Sequence, residues 1–593
     1  MLELLDYPFD PIKILRKKSS IKRELLDKKS LIKKKIAILG GTTTHEVKDQ
    51  LELFLLKSNI KAEFYECDYG KYYEAAIFEE KDLYDFDPDI IYLHVSVENL
   101  KSLHDFKKTS EIKAEEEFES LKSIWIKLSK DFNCEIIQDN FELPQFRPLG
   151  NLDSSSPSSV TRTILLLNEM ISKFAMQSAY LNICDRNYLS SKLGLSVWKD
   201  YSLWLSAKYS LSYKAITNLC YTLSKIIESK LGFSKKCLIL DLDNTLWGGV
   251  IGDDGVDGII LGRETPIGEA YLDLHLYLKE LKNRGIVLAI CSKNDIENAK
   301  NGFKHPDSVL QFSDFTVFKA NWDLKIKNIY DIAEEINIGL ESIVFLDDNP
   351  VERDIVRKEF NGSVSVPEIG DDITLYREIL DASQLFTVTS FSQEDEKRNE
   401  FYENDKKREK TIANYEDYDA YLKSLEMKAE VSLFNKSYTN RITQLTNKTN
   451  QFNLTTLRVS EHEMESAINN PSKIALYARL SDKFGENGLV SVIQGTIEGN
   501  KLVIDLWVMS CRVFKRTLEH TLIYEFLKEA KSRNIKAVFG KYIPTQKNKI
   551  VSELYEELGF SNIGEEDGST IFELCLEKYE IPTNPNITLE ELV

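Results

Sequence analysis

Three short, continuous apolar runs constrain the fold of the middle of this chain more than any other feature. They occupy residues 237–240, 286–291 and 343–346, and helical patterns with one apolar face separate them. Apolar runs of this length are typical of strands that are buried on both faces of a parallel sheet. Parallel neighbours need a crossover connection, which is usually a helix. The sequence therefore predicts a parallel α/β domain in this region.

Each of these predicted strands is followed by side chains that can take part in phosphate chemistry. Asp241 and Asp243 follow the first run, Ser292 follows the second, and Asp347 and Asp348 follow the third. Open α/β sheets bind their ligands at the carboxyl ends of their strands, so we expect these groups at one site. Clustered carboxylates repel a phosphate unless a divalent cation is present, and oxygen ligands favour Mg²⁺. The pattern therefore implies a bound Mg²⁺ ion.

Strand and helix patterns also alternate on both sides of this region. Short apolar runs between residues 36 and 137 predict a second parallel layer near the amino terminus, and the last third combines strands with helices. The predicted organisation is an N-terminal α/β domain with a helical linker (1–230), the central domain (231–390), a charged helical linker (391–420) and a C-terminal α/β domain (421–593).

The chain is acidic, with 95 Asp and Glu residues against 76 Lys and Arg residues and a net charge of −19. Sequence-independent nucleic-acid binding relies on a basic surface, so we expect no nucleic-acid partner. No apolar run approaches the roughly 20 residues that a membrane helix needs, and the amino terminus lacks the layout of a signal peptide. We therefore expect no membrane contact and a cytoplasmic location.

Residues 393–409 are almost all charged or polar. Such a run is typical of a solvated helix. We therefore expect this segment to be an exposed linker between two domains.

In order and spacing, the groups that follow the three central strands resemble the motifs of the haloacid dehalogenase (HAD) superfamily of phosphoryl-transfer enzymes. The resemblance implies that Asp241 is a nucleophile that forms an aspartyl phosphate. It also implies that Asp243 protonates the leaving oxygen and later deprotonates the attacking water.

The same resemblance assigns the phosphate and metal contacts. Thr245, Ser292 and Lys325 would bind the phosphoryl group and neutralise its charge. Lys319 precedes the predicted helix and is a less favoured alternative to Lys325. The implied Mg²⁺ ligands are Asp241, Asp243, Asp347 and Asp348.

The spacing of the motifs leaves no room for the mobile cap domain that many HAD enzymes carry. Thr245 and Ser292 are 47 residues apart, and Ser292 and Lys325 are 33 apart. After the strands and crossover helices are subtracted, only a small flap over residues 247–265 remains. The site is therefore expected to be open, or to be closed by another domain of this chain.

Longer stretches resemble the FkbH-like family, in subfamily IIIC of the HAD superfamily. They are DLDNTLWGGVIGDDG (241–255), CSKN (291–294), LDDNPVER (346–353), NKTNQFNLTTLR (447–458) and SCRVFKR (510–516). The resemblance implies a capless, HAD-like Rossmannoid domain between two further α/β units. The first of these would be a parallel-sheet unit like those of SGNH hydrolases or flavodoxin, and the second would be GNAT-like.

The better understood FkbH-like proteins take a glyceryl unit from 1,3-bisphosphoglycerate, remove its phosphate and load it as a thioester on an acyl carrier protein. Such chemistry needs a nucleophile that holds the acyl group, and a thiolate suits this role. Cys511 is the candidate, because it lies just before a predicted helix (516–533) and beside Arg512, which could both lower its pKa. Alternatively, Cys511 is a small apolar residue that packs at the end of a strand.

Two further groups of residues are candidates for contacts with the acyl group or the carrier. Lys448, Asn450, Gln451 and Asn453 form a polar run that could clamp an acyl or pantetheine chain, or could be an interdomain loop. Arg512 and Arg516 could meet an acidic carrier helix, or could lie on an exposed charged turn. The glycines of the GNAT pyrophosphate loop are absent after Arg512, which puts close backbone contact with a pyrophosphate in doubt.

The loop at residues 40–45 lies where SGNH hydrolases place their Gly-Asp-Ser motif, but its sequence is GGTTTH. The aspartate and the serine are both missing. We therefore interpret the N-terminal domain as a degenerate unit with a binding or structural role.

Together these features predict a Mg²⁺-dependent enzyme that dephosphorylates a small phosphoacyl group and loads it on an acyl carrier protein. The alternative is a phosphatase that acts on a soluble metabolite or a phosphoprotein without acyl transfer. A carrier-binding assembly factor without turnover is a third possibility.

Overall fold

The computed structural model describes residues 2–27, 31–412, 415–545, 547–566 and 568–590. The chain forms two compact units. The first contains residues 1–229 and 460–462, and the second contains residues 230–459 and 463–593. Both units combine helices with sheets, and the predicted multidomain α/β class is confirmed.

The first unit is built on a parallel sheet whose strand order is 2-1-3-4-5. This is the flavodoxin-like order of doubly wound folds, as predicted. Its strands are β1 (Ile32–Gly40), β2 (Ile60–Glu66), β3 (Ile90–His94), β4 (Glu135–Asp139) and β5 (Leu181–Cys184). Its helices are α1 (Pro11–Leu26), α2 (His45–Lys57), α3 (Tyr72–Ile77), α4 (Lys81–Phe86), α5 (Ser110–Asp131), α6 (Val160–Met176), α7 (Arg186–Leu193), α8 (Leu195–Trp198), α9 (Tyr201–Ala207) and α10 (Tyr213–Lys230).

The threonine-rich loop after β1 is held by internal hydrogen bonds. The Thr42 hydroxyl lies 3.3 Å from that of Ser210, and the Thr44 hydroxyl donates to Glu66 at 2.7 Å. Asn99 donates its side-chain amide to the carbonyl of Gly41 at 2.8 Å. These contacts fix the position of the loop within this unit.

The second unit begins with a parallel sheet in which the strand order is β8-β7-β6-β9. Its strands are β6 (Cys237–Leu240), β7 (Val287–Ser292), β8 (Val317–Ala320) and β9 (Ile343–Leu346). The strands β6, β7 and β9 are buried along their whole length, which explains their continuous apolar runs. Its helices are α11 (Ile251–Gly258), α12 (Pro266–Asn283), α13 (Ile296–Gly302), α14 (Lys325–Glu335), α15 (Pro350–Phe360) and α16 (Tyr376–Ala382).

The capless prediction for this domain is confirmed. Between β6 and β7 the chain forms α11 and α12, and a single antiparallel bridge joins Gly248 to Ile260 at the base of the short flap. Residues 293–324 add only α13, a 3₁₀ turn and β8. The flap is thus too small to form a separate lid domain.

The C-terminal part of the second unit is a mixed sheet with one long antiparallel meander. In its described residues the strand order is β16-β17-β15-β14-β13-β12-β10-β18, and β11 pairs with β14. The strands are β10 (Met427–Leu433), β11 (Phe452–Asn453), β12 (Lys473–Asp482), β13 (Gly485–Glu498), β14 (Lys501–Met509), β15 (Ala537–Tyr542), β16 (Ser561–Glu566), β17 (Ser569–Cys575) and β18 (Ile587–Leu589). The helices from residue 393 onwards are α17 (Gln393–Glu396), α18 (Arg398–Ile412), α19 (Tyr418–Ser424), α20 (Thr439–Lys448), α21 (Glu461–Ala467), α22 (Leu518–Ser532) and α23 (Leu554–Glu557).

The charged segment 393–409 is helical, but the expectation that it is solvated was wrong for one of its faces. Asp395, Phe401, Tyr402 and Arg408 are all buried. Arg408 makes two hydrogen bonds to the carboxylate of Asp482, at 2.8 and 2.9 Å. A charge run can be buried when its members are paired in this way, and composition alone does not show the partner.

We expect Arg408→Met to destabilise the second unit by about 2 kcal/mol, because the buried carboxylate of Asp482 loses its bidentate partner and keeps only the pair with Arg516 at 3.3 Å. Urea unfolding followed by tryptophan fluorescence measures this loss. Lys407→Met is the matched control, since Lys407 lies next to Arg408 and is exposed. Equal stability of the two variants would show that the buried pair contributes nothing.

In the part of the chain that the structure describes, no helix combines the length and the apolar character needed to cross a bilayer.

Candidate active site

The carboxyl edge of the central sheet brings three carboxylates together. Asp241 follows β6, and Asp347 and Asp348 follow β9, its parallel neighbour. One carboxylate oxygen from each residue lies within 4.8 Å of the others, so the three could hold one metal ion. Asp241 and Asp347 are buried. The parallel register of the two strands therefore creates the acidic site that the sequence predicts.

Lys325 neutralises part of this acidic charge. It is the first residue of α14 and is buried, and its ammonium lies 3.0 Å from Asp241 Oδ1 and 2.5 Å from Asp347 Oδ2. Burial alone would lower the pKa of Lys325, but the two carboxylate charges outweigh it and raise the pKa. Lys319, the alternative, is instead paired with Glu335 at 3.0 Å.

The carboxylates repel one another even with Lys325 in place. Burial raises the pKa of Asp347, and the nearby charge of Asp241 raises it further. The same two causes raise the pKa of Asp348. A divalent cation would relieve this repulsion, so the donor set fits a metal that binds oxygen ligands.

The carboxylate of Asp243 does not belong to this cluster, and its prediction as a side-chain metal ligand is corrected. Its Oδ1 accepts hydrogen bonds from Trp247 Nε1 at 2.9 Å and from the backbone amide of Ile251 at 3.0 Å. Its Oδ2 accepts from the side-chain amide of Asn294 at 2.9 Å. Burial raises the pKa of Asp243, which favours the protonated form that a general acid needs.

The two predicted hydroxyl groups are placed differently. Ser292 ends β7 and is buried at the carboxyl edge. The Thr245 hydroxyl donates to Asp348 Oδ1 at 3.3 Å and accepts from the Asp348 amide at 3.1 Å. Thr245 therefore contacts Asp348, and its predicted role in phosphate binding stays a prediction.

Arg353 is a buried residue that orients the acidic loop, and no role was predicted for it. Its guanidinium donates to the carbonyl of Asp347 at 2.8 Å and to the carbonyl of Asp348 at 2.6 Å. The backbone amide of Asn349 donates to Asp347 Oδ1 at 2.9 Å. The signal that the sequence carries for Arg353 is its place as the last residue of the LDDNPVER stretch (346–353), five positions after Asp348.

The residues predicted for acyl and carrier contacts meet in a second place. Cys511, Arg512, Lys448, Asn450 and Gln451 line one cavity of 360 Å³ in the second unit. They come from two segments that lie about 60 positions apart in the chain. The structure thus brings together five of the seven predicted residues.

The other two, Asn453 and Arg516, have structural roles instead. Asn453 is buried and hydrogen-bonds within its own turn, to Thr449 and Thr456. Arg516 is buried in ion pairs with Asp405 at 2.9 Å and Asp482 at 3.3 Å. Neither side chain is available to a carrier protein.

The expected activation of Cys511 is also corrected. Cys511 lies in a 3₁₀ turn, and Lys515 and Thr517, both with φ of 61°, separate that turn from the start of α22. The thiol therefore gains nothing from the α22 terminus, and it donates to the carbonyl of Asn337 at 3.4 Å. Burial raises its pKa, although the charges of Lys236 and Arg512 oppose this shift.

The cavity lies at the opposite edge of the central sheet from the acidic cluster. Its wall includes Lys236, which precedes β6, and Ser342, which precedes β9. Asp241 and Asp347 lie just beyond the other ends of the same strands. Five residues of extended chain span about 16 Å, so the thiol and the acidic cluster cannot contact one small substrate together in this conformation.

Comparison with known proteins now identifies the family. A model of the FkbH N-terminal domain matches residues 35–228. A crystal structure of the N-terminal part of the protein BF1531 from Bacteroides fragilis, which contains a phosphatase domain complexed with Mg, is 33% identical. The alignment covers 63% of this chain and 99% of that one, with a TM-score of 0.59. This chain belongs to the FkbH-like family. The central domain of this FkbH-like protein is accordingly of the HAD type and is similar to the phosphatase domain of BF1531.

Other solved structures match a quarter of this FkbH-like protein. They include the PaiA N-acetyltransferase from Thermoplasma acidophilum in complex with coenzyme A, at 16% identity and a TM-score of 0.20. An acetyltransferase of the GNAT family from Streptococcus pneumoniae matches at 14% identity with the same TM-score. Each alignment covers 25% of this chain and 99% of the other. A comparison with curated protein sequences finds no match.

Proposed function

We propose that this FkbH-like protein is a Mg²⁺-dependent phosphatase that acts on a small phosphoacyl group, and that it loads the acyl unit as a thioester on an acyl carrier protein. The observation that carries the phosphatase part is the acidic cluster around Lys325 at the carboxyl edge of the sheet. The Mg in the BF1531 structure supports the choice of metal. The glyceryl unit and the carrier are proposed from the family resemblance.

Asp241, Asp347 and Asp348 would hold the ion. Among the described residues, Asp241 Oδ1 is buried without a hydrogen-bond partner and is paired only with Lys325, so it has the character of a metal ligand. Bound Mg²⁺ would supply positive charge that offsets the negative charge of the phosphoryl oxygens.

The protein's own groups account for the remaining chemistry. A carboxylate oxygen of Asp241 attacks phosphorus, the bond from phosphorus to the ester oxygen breaks, and Asp243 gives its proton to that oxygen. Asp243 then takes a proton from water, which attacks the aspartyl phosphate and releases inorganic phosphate. Lys325 and Ser292 stabilise the charge of the transferred group.

Acyl transfer requires the acyl unit to reach both the acidic cluster and Cys511. If Cys511 holds the acyl unit, the unit has to travel between opposite edges of the central sheet, and a flexible carrier arm is one means of transport. The distance between the two sites favours the second candidate function, a phosphatase without acyl transfer.

Intact-protein mass spectrometry after incubation with Mg²⁺ and 1,3-bisphosphoglycerate distinguishes a phosphatase that transfers the acyl unit from one that does not. With acyl transfer, we expect a glyceryl adduct on the wild type, a phosphoglyceryl adduct on Asp241→Asn and no adduct on Cys511→Ser. Cys575→Ser, at an exposed cysteine, is the matched control and should carry the adduct. Phosphate release without an adduct on any variant would leave the plain phosphatase and reject the transferase for this donor.

A further inference from the structure

The cavity beside Cys511 carries an excess of positive charge in a protein that is acidic as a whole. Three carboxylates and six cations line it. The carboxylates are Glu341, Glu394 and Asp395, and the cations are Lys236, Arg398, Arg441, Lys448, Arg512 and Lys547. Overall composition does not explain a local charge of the opposite sign to that of the whole chain.

The three carboxylates are all used by four of the cations. Asp395 pairs with both Arg398 and Lys448, Glu394 pairs with Arg441, and Glu341 pairs with Lys547. Lys236 and Arg512 have no acidic partner among the described side chains. Six cations against three carboxylates leave three positive charges in excess at the cavity wall when all nine groups are ionised.

Arg512 is held in one orientation with its outer edge free. Its guanidinium stacks on the ring of Phe401, 4.2 Å from the centroid, and its Nε donates to the Ser510 hydroxyl at 3.2 Å. Within the described residues, neither terminal nitrogen has a hydrogen-bond acceptor. The two terminal nitrogens of a guanidinium can bind a phosphate or a carboxylate through two parallel hydrogen bonds.

The directions of the pKa shifts of the cations in this cavity agree with this geometry. Burial, together with the charges of neighbouring cations, lowers the pKa of Lys448 to about 8 and that of Arg512 to about 10. Burial also lowers the pKa of Lys236. An anion bound among these groups would reverse the shifts, which means that the crowded cations favour anion binding.

We propose that this cavity is a second ligand site, which binds a phosphate monoester non-covalently through Arg512, Lys236 and Lys448. A phosphate dianion offsets two of the three excess positive charges, whereas a monocarboxylate offsets only one. The volume of 360 Å³ is at the small end of ligand cavities, which span about 300–1,000 Å³. Asn450 and Gln451, on the same wall, offer hydrogen bonds to a polar ligand body.

This site is independent of phosphatase turnover. It lies at the amino edge of the central sheet and needs no metal, whereas the acidic cluster lies at the carboxyl edge and repels phosphate when no cation is bound. Binding measured in EDTA therefore reports the cavity, and failure of the proposed phosphatase would leave the cavity proposal untouched.

The test uses the full chain in EDTA, with inorganic phosphate as the probe and calorimetry as the readout. We expect saturable binding to the wild type and at least a roughly tenfold loss of affinity in both Arg512→Gln and Lys236→Gln, because each removes one charge-assisted contact. Arg533→Gln, which removes a pair with Glu529 and a hydrogen bond to the carbonyl of Lys473, both outside the cavity, should bind as the wild type does. Two cavity variants keep the test valid if one of them fails to fold.

Alkylation of Cys511 locates the bound phosphate. Iodoacetamide labelling followed by peptide mass spectrometry should show that phosphate slows the reaction of Cys511 in the wild type but not in Arg512→Gln. The exposed Cys575 should react at one rate throughout. Absence of saturable binding, or binding that the cavity variants do not weaken and that does not protect Cys511, would overturn the proposal.

Discussion

Replacing Asp241 with asparagine should lower the rate of phosphate release by about 10⁴-fold or more, the scale of loss seen when a catalytic nucleophile is removed. Asparagine has nearly the same shape but no anionic oxygen, so it cannot form the phosphoryl ester. It also removes one of the three carboxylates that would hold Mg²⁺. Both effects act on the same step, and the expected loss is therefore close to complete.

The measurement is phosphate release from a generic phosphate monoester in the presence of Mg²⁺. Asp371→Asn is the control, because Asp371 is an exposed aspartate of the same domain outside the acidic cluster. It should retain wild-type activity. An Asp241→Asn variant that is folded and within tenfold of the wild-type rate would rule out Asp241 as the nucleophile.

Replacing Lys325 with methionine should destabilise the metal-free protein by about 3–5 kcal/mol and abolish turnover. Methionine fills a similar volume, but it leaves Asp241 and Asp347 as neighbouring buried carboxylates without their cation. Removal of one partner from a buried ion pair typically costs this much, since the remaining charge is uncompensated. Turnover is lost because no ammonium then neutralises the transferred phosphoryl group.

Magnesium makes this prediction specific to the site. Because Mg²⁺ would replace part of the missing positive charge, it should recover part of the stability of Lys325→Met in urea unfolding, with little effect on its turnover. Lys327→Met is the control, because Lys327 lies on the same helix as Lys325 and its substitution removes an exposed pair with Asp323. Exposed pairs contribute at most about 1 kcal/mol. Equal stability of the two variants in EDTA would contradict the role given to Lys325.

Several residues of the acidic site were predictable because their positions depend only on the strands that directly precede them in the sequence. Short apolar runs indicate buried parallel strands, and residues directly after such strands must lie at the ligand-binding edge. Asp241, Ser292, Asp347 and Asp348 follow from this argument alone. The strand β8 was missed because its sequence, VFKA, contains a lysine and is only partly buried, so no continuous apolar run marks it.

Fine contacts within the same site were not predictable. The choice between Lys319 and Lys325 depends on Glu335, because Glu335 forms an ion pair with Lys319. The carboxylate of Asp243 turns to Asn294, 51 positions away in the chain, and Thr245 bonds to Asp348, 103 positions away. These hydrogen-bond partners depend on how distant segments pack together. Neither hydrophobic periodicity nor motif spacing predicts that packing.

The sequence by itself determined the class of this protein and the edge of the sheet that carries its carboxylates, since both depend on short-range patterns of strand burial and on motifs within single segments. Only the tertiary structure decided the position of Cys511. Its thiol hydrogen-bonds to Asn337, 174 positions away, at the amino edge of the sheet. Contact between the central and C-terminal parts of the second unit creates that surface, together with its cavity and its excess of cations, and no local pattern in either part predicts the contact.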